Sequence, residues 1–147
     1  MAVLSGSEHP TPSFIDRLAH EYALRDELDG RSAVRPLALV REHGRTVLLV
    51  EDPGGEPLDR FLGQPMETGR FLRFATGLSA ALRQLHERGL IHKDIKPANV
   101  LVDFATGQVW LTGFGIASRA PRERQSPELP SSSPERFPTW RPNRPDE

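Results

Sequence analysis

The sequence predicts an α+β fold from three observations: two stretches with helical apolar spacing, two pairs of short apolar runs joined by tight polar turns, and a proline- and serine-rich closing stretch. At 147 residues and 37% hydrophobic content the chain has material for one modest core. Its 19 Lys plus Arg against 20 Asp plus Glu leave a formal charge of -1, so no basic field points to nucleic acid or an anionic membrane. Absence of cysteine excludes disulfides, thiolate metal sites and a cysteine nucleophile, and fits a reducing compartment. The opening MAVLSGSEHP has no charged-then-apolar leader pattern, and no apolar run reaches the roughly 18 residues of a membrane helix. A cytoplasmic protein without membrane insertion is therefore expected.

Residues 1–12 are expected to be flexible. The first helix is predicted to open at Pro12-Ser13, with Ser13 as cap and Asp16 completing a capping box, and to run to about Leu28 before Asp29-Gly30. Leu37 to Arg41 and Thr46 to Glu51, split by Glu42-His43-Gly44-Arg45, read as an antiparallel hairpin. Pro53 to Gly55 break the second strand. From Thr68 to Arg88 the residues Phe71, Leu72, Phe74, Ala75, Leu78, Ala81, Leu82 and Leu85 mark a long amphipathic helix that Gly89 stops. Two short strands follow, Val100 to Asp103 and Gln108 to Thr112, around a Thr106-Gly107 turn. The folded unit is placed at 13–118. Beyond it, 119–147 holds seven of the 14 prolines, Ser131-Ser132-Ser133 and almost no aliphatic residues, so a disordered tail is expected. A proline-rich ligand for an SH3-type or WW-type groove is the alternative there.

Chemistry concentrates in Leu90-Ile91-His92-Lys93-Asp94-Ile95-Lys96-Pro97-Ala98-Asn99, which resembles the protein-kinase catalytic loop H-R-D-L-x-x-x-N. In that pattern Asp94 accepts the proton of the attacking hydroxyl, Lys96 stabilises the transferring phosphoryl group, and Asn99 offers an oxygen to magnesium. The competing explanation, a charged turn between helix and strand, does not account for Asp, Lys, Pro and Asn falling in register before Gly113-Phe114-Gly115. Small-molecule phosphotransferases share the H-x-D and Asn elements, whereas Lys96-Pro97 favours the Ser/Thr protein-kinase branch.

The resemblance extends outward over roughly Arg17 to Gln125. His20-Glu21-Tyr22-Ala23-Leu24 looks like the small-lobe helix, and TVLLVEDPGGEP, Thr46 to Pro57, like the fifth strand and hinge. It implies a partial protein-kinase-like fold comprising the end of the small lobe, the hinge and the start of the large lobe. ATP and magnesium are the cofactors implied, with nucleotide contacts at Glu51, Asp52, Gly54 and Asn99 and the metal on Asn99. More narrowly, HEYALRDELDG, LVEDPGGEPLDRFLG, LIHKDIKPANVLVD and VWLTGFGIASR resemble the N-terminal kinase-like domain of large bacterial hybrid proteins that also carry an ATPase module and a sensor histidine kinase. A protein partner in a signalling system follows from that likeness.

Three departures bear on activity. Gly113 stands where active kinases have an aspartate that grips magnesium, and Asp103, the nearest acidic residue downstream of Asn99, reads more naturally as a turn-former. Lys93 and Lys96 are the chain's only lysines, so none remains for the small-lobe phosphate contact, and Glu21, its partner in that scheme, is expected to pair instead with Arg25 four residues on. No glycine-rich phosphate loop precedes the first helix, and no activation segment or further large-lobe helices follow Gln125. An exposed apolar patch at Phe71, Leu78, Leu82 or their neighbours is therefore expected. The outcomes that fit are a Ser/Thr kinase impaired in catalysis, a pseudokinase interaction module, or a truncated gene product.

Overall fold

A computed structural model describes residues 2–5 and 11–121. The elements, in order, are β1 (Ala2–Ser5), α1 (Pro12–Ala23), β2 (Pro36–Glu42), β3 (Arg45–Val50), β4 (Glu56–Pro57), α2 (Thr68–Glu87), β5 (Leu90–Ile91), β6 (Val100–Asp103), β7 (Gln108–Leu111) and β8 (Ser118–Arg119), with 3-10 turns at Leu58–Phe61 and Pro97–Asn99. The predicted α+β class holds. No described helix is long and apolar enough to cross a membrane.

Ala2–Ser5 lies in the stretch expected to be flexible, yet it forms an antiparallel strand on β3, with Ala2 opposite Val50 and Ser5 opposite Val47. β2 pairs on the other side of β3, giving the sheet order β1-β3-β2. Its hairpin closes at His43-Gly44, both at positive φ (49° and 77°), the geometry of a two-residue turn whose twist matches the strands.

α1 differs from expectation at both ends. Pro12 opens the helix, so Thr11 and not Ser13 is the N-cap; Thr11 makes no side-chain cap bond, its hydroxyl lying 3.0 Å from that of Ser13. The helix stops at Ala23, where the Leu24 amide turns back to Glu21 in a tighter bond of 3.1 Å. Leu24 and Leu28 are both buried, so one further turn keeps them on the same inward face, and Gly30 at φ 76° redirects the chain.

α2 runs as its apolar spacing dictates. Glu67 caps its start by accepting from the Gly69 and Arg70 amides at 2.7 and 2.8 Å, and Gly89 at φ 73° ends it. Its inward residues Ala81 and Leu85 join Leu24, Leu28, Leu90, Val100, Val102, Val109, Leu111 and Phe114 in the main core, with Phe74, Leu78 and Leu82 packed against it. Exposure on α2 therefore falls on Phe71 (51%) and Leu72 (57%), and not on Leu78 or Leu82. Gly77 lets the helix touch the β6–β7 turn: a Cβ there would lie 2.4 Å from the Gly107 carbonyl oxygen.

A second cluster, Leu18, Val34, Leu48 and Val50, sits between α1 and the first sheet. The backbone of Ser32–Val34 links it to β7, with Val34 N–H donating to Leu111 O (2.8 Å) and Leu111 N–H to Ser32 O (2.9 Å). β8 pairs with β5, and the Ala120 amide donates to Gly89 O at 2.7 Å, so residues 119 and 120 belong to the ordered fold although the tail was expected to begin there. Residues 122–147, with the remainder of the predicted tail, lie outside the described residues.

Candidate active site

The loop between β5 and β6 is built around His92. Its ring is buried, with its centroid 4.6 Å from that of the fully buried Phe114. Nε2 lies 2.8 Å from the Thr112 carbonyl oxygen, and Nδ1 accepts the Asp94 amide at 3.2 Å. Facing a carbonyl on one side and an N–H on the other, the ring must be the neutral Nε2–H tautomer. Burial, the largest cause, keeps its pKa below the ordinary imidazole value. Lys93 turns through φ 68°, a left-handed conformation rare for a lysine, and so presents Asp94 outward.

Asp94, Lys96 and Asn99, singled out by spacing, are brought together. Lys96 Nζ contacts Asp94 Oδ2 at 2.8 Å, while Asn99 Nδ2 donates to Asp94 O (2.9 Å) and to Asp94 Oδ2 (3.0 Å). The Lys96 bond, followed by that from Asn99, holds the Asp94 carboxyl below the usual carboxylate range, so it is ionised near neutrality and able to orient a hydroxyl. The Thr112 amide donates to Asn99 O at 3.0 Å, fastening the β5–β6 loop to the 112–115 segment.

Gly113 sits directly against Asn99. Its φ is 79°, and a Cβ at that position would lie 2.8 Å from Asn99 Cγ and Oδ1 and 2.9 Å from Nδ2. Glu21 approaches the same residue from α1. It does not pair with Arg25 as its i,i+4 spacing predicted: its side chain turns inward, 4% exposed, and Oε1 accepts the Gly113 amide at 3.2 Å. Desolvation raises its pKa, and backbone N–H groups of Phe114 and Gly113 oppose that rise. Arg25 points away, over the Tyr22 ring at 4.8 Å and 3.7 Å from Asp26.

A cavity of about 210 Å³ opens here, lined by Phe14, Arg17, Leu18, Glu21, Asp94, Asn99, Gly113, Gly115 and Ile116. The hinge residues are elsewhere. Glu51 and Asp52 line a separate hollow with Gly30, Val34, Arg35, Pro53 and Trp110, and the two share no residue. The Glu51 amide already donates to Arg35 O (2.9 Å), and Asp52 Oδ1 accepts the Gly54 amide (3.0 Å), closing a turn at φ 83°. Asp103 is likewise occupied, by the Ala105 amide at 2.8 Å and the Thr106 hydroxyl at 2.7 Å, which is the turn-forming role.

Magnesium does not fit this constellation. It requires near-octahedral oxygens, usually including carboxylates. Asp94 Oδ2 is shared between an ammonium and an amide N–H, Asn99 contributes a neutral oxygen, and Gly113 contributes no side-chain oxygen at all. Among the described residues no group of three or more His, Asp or Glu could hold a metal ion. His20 and Glu67 are the structurally important side chains that the sequence pattern did not single out: His20 Nε2 donates to Ala117 O at 2.8 Å.

The protein kinase domain family matches residues 5–138, beyond the Gln125 at which the resemblance was expected to end. Over 125 residues the chain is 38% identical to the serine/threonine-protein kinase PknA of Mycobacterium tuberculosis, covering 78% of this chain and 28% of PknA. It is 31% identical over 107 residues to the serine/threonine-protein kinase STE11 of Saccharomyces cerevisiae, covering 71% and 15% respectively. Against the serine/threonine-protein kinase pkn2 of Myxococcus xanthus the identity is 32% over 118 residues, covering 78% and 14%. The chain thus spans little more than a quarter of the longest-covered of these relatives.

Proposed function

The chain belongs to the protein kinase family, and from that premise we propose that it is a pseudokinase module: a kinase-type loop kept in working order beside a position that no longer grips a metal–nucleotide. The observation that carries this reading is the packing of Asn99 against the bare α-carbon of Gly113. Phosphoryl transfer leaves little covalent work to the protein and depends on positioning and on neutralising charge. Asp94 and Lys96 are suitably arranged for the hydroxyl and the phosphoryl group. What is lacking is the acidic hold on magnesium and a small-lobe lysine. β1, which flanks β3, reads Ala-Val-Leu-Ser and supplies none, and Glu21 spends its carboxylate on the Gly113 amide.

ATP and magnesium serve the family generally; in this chain nucleotide is proposed to bind weakly, without metal, at the backbone near Glu51 to Gly54. The likeness of HEYALRDELDG and LIHKDIKPANVLVD to bacterial hybrid sensor proteins supports a role in cytoplasmic signalling through a protein partner, with serine/threonine kinase ancestry and little transfer activity.

The test separates binding from catalysis. Purified chain is melted with and without ATP and magnesium, and incubated with radiolabelled ATP and a serine/threonine-containing acceptor protein, in parallel with Asp94→Asn. The expected result is no magnesium-dependent rise in Tm and no label above the Asp94→Asn control. Transfer that requires magnesium and vanishes in Asp94→Asn would overturn the pseudokinase reading and restore the kinase one.

A further inference from the structure

We infer that β1 is the docking edge for a second copy of this chain: two β1 strands pair antiparallel about a twofold axis and join two three-stranded sheets into one. The pseudokinase reading calls for a protein partner, and this inference rests on it by naming that partner as the chain itself.

The sheet has the order β1-β3-β2, so it ends on β1 at one side and on β2 at the other. Ala2–Ser5 pairs with residues 47–50 of β3, and in an antiparallel ladder only every second residue of a strand turns its N–H and C=O toward a given neighbour. The alternate residues of β1 therefore turn theirs away from β3, and among the described residues no strand takes them up. Open backbone groups of this kind recruit another strand, because pairing satisfies the donors and acceptors whatever the side chains are.

The two edges differ. β2 starts at Pro36, which has no N–H to offer, has an irregular register between Pro36 and Ala38, and ends in the exposed pair Arg41-Glu42, three features that discourage edge pairing. β1 reads Ala-Val-Leu-Ser, with neither charge nor proline, and its register on β3 is unbroken. An uncharged strand meets its own symmetric copy without like-charge repulsion, and it offers no counter-charge to a charged partner strand, which selects a second copy as the occupant. A twofold axis perpendicular to the sheet keeps each face with its like, so it passes beside one residue and its own counterpart: Val3 opposite Val3, or Leu4 opposite Leu4. With β2 guarded, addition stops at two copies and does not run on into a fibre. A four-residue strand from each copy makes a short interface, so the dimer forms and dissociates with concentration.

Sedimentation equilibrium of the full chain, from micromolar to near-millimolar loading, tests the edge, and a monomer–dimer equilibrium is expected in the parent. Val3→Lys sets two ammonium groups opposite or diagonal to each other across the axis and should weaken the dimer at least tenfold, while Val40→Lys, the same change in charge on exposed β2, should leave it within about twofold. Because the chain has no cysteine, a single introduced one is a clean reporter: under mild oxidation either Val3→Cys or Leu4→Cys, whichever lies on the axis, should give at least tenfold more disulfide-linked dimer than Val40→Cys. These cysteine variants decide the matter if Val3→Lys does not fold. A parent that stays monomeric over the whole range, a dimer weakened equally by Val3→Lys and Val40→Lys or by neither, or cross-linking no greater at positions 3 and 4 than at 40, would overturn the edge pairing. The pseudokinase reading fails on a different result, magnesium-dependent phosphoryl transfer that is lost in Asp94→Asn, whatever the mass of the particle.

Discussion

Substituting Gly113 by alanine should cost far more than adding one methyl group normally does. Two effects combine. At φ 79° an L-residue pays roughly 1–2 kcal/mol for the left-handed conformation. The new Cβ would also stand 2.8 Å from Asn99 Cγ and Oδ1, so the Asn99 side chain must swing aside. That movement breaks its bonds to Asp94 O and Oδ2, at about 1 kcal/mol each in a partly buried setting. The sum is about 3–4 kcal/mol, and for a domain of this size each kcal/mol moves Tm by roughly 4–8 °C, so a drop of about 12 °C or more is expected. Differential scanning calorimetry of Gly113→Ala, Asn99→Ala and the double variant measures it. Removing the Asn99 amide should relieve the clash, leaving only the conformational part of the Gly113→Ala cost and a coupling of about 1–2 kcal/mol between the sites. A Gly113→Ala protein that melts within about 2 °C of the parent, or a cycle with no coupling, would refute the account of why Gly113 and Asn99 are matched.

Other expectations follow from single contacts. Gly77→Ala should lower stability even though alanine is the better helix former by about 1 kcal/mol, because its Cβ meets the Gly107 carbonyl; urea denaturation giving a higher midpoint than the parent would contradict that close approach. Glu21 has a raised pKa, so the folded state retains a proton that the unfolded chain releases near 4.5, and the stability this proton confers is present below that value and lost as pH rises through the folded pKa. Glu21→Gln should abolish this part of the pH dependence, so that its stability relative to the parent improves from pH 4 to pH 7; a constant difference across that range would show that Glu21 does not titrate as described. His92 is shifted the other way, and its contribution is present above the ordinary value of 6.5 and lost as pH falls below it, which His92→Gln should flatten in the same denaturation series.

Much of this fold is legible in the sequence because its signals are local. The stop of α2 at Gly89, the His43-Gly44 turn and the register of Asp94, Lys96 and Asn99 each depend on residues within a few positions of one another. What escaped depends on distant backbone groups. Glu21 has Arg25 at the favourable spacing, yet its partner is an amide 92 positions away, and a backbone N–H carries no residue-type signature. β1 is four residues long and becomes a strand only because β3 offers an edge, which no local pattern announces. The end of α1 was misplaced because Leu24 and Leu28 continue the apolar spacing through a turn that is no longer helix. Pro12 as the first helical residue overrode the capping box that Ser13 and Asp16 spell out.

The occupied space beside residue 113 has an evolutionary side. A one-base change turns every glycine codon into an aspartate or glutamate codon, so an acidic side chain is close at hand genetically. Physically it is not, since the newcomer meets an amide already seated there and a backbone turned to suit glycine. Placing a side chain at 113 needs Asn99 to shift as well, and the protein carrying only the Gly113 change is the less stable molecule. Glycine at 113 is thus held in place by its neighbour: a single change there is costly, and only a change paired with Asn99 is open to a well-folded protein.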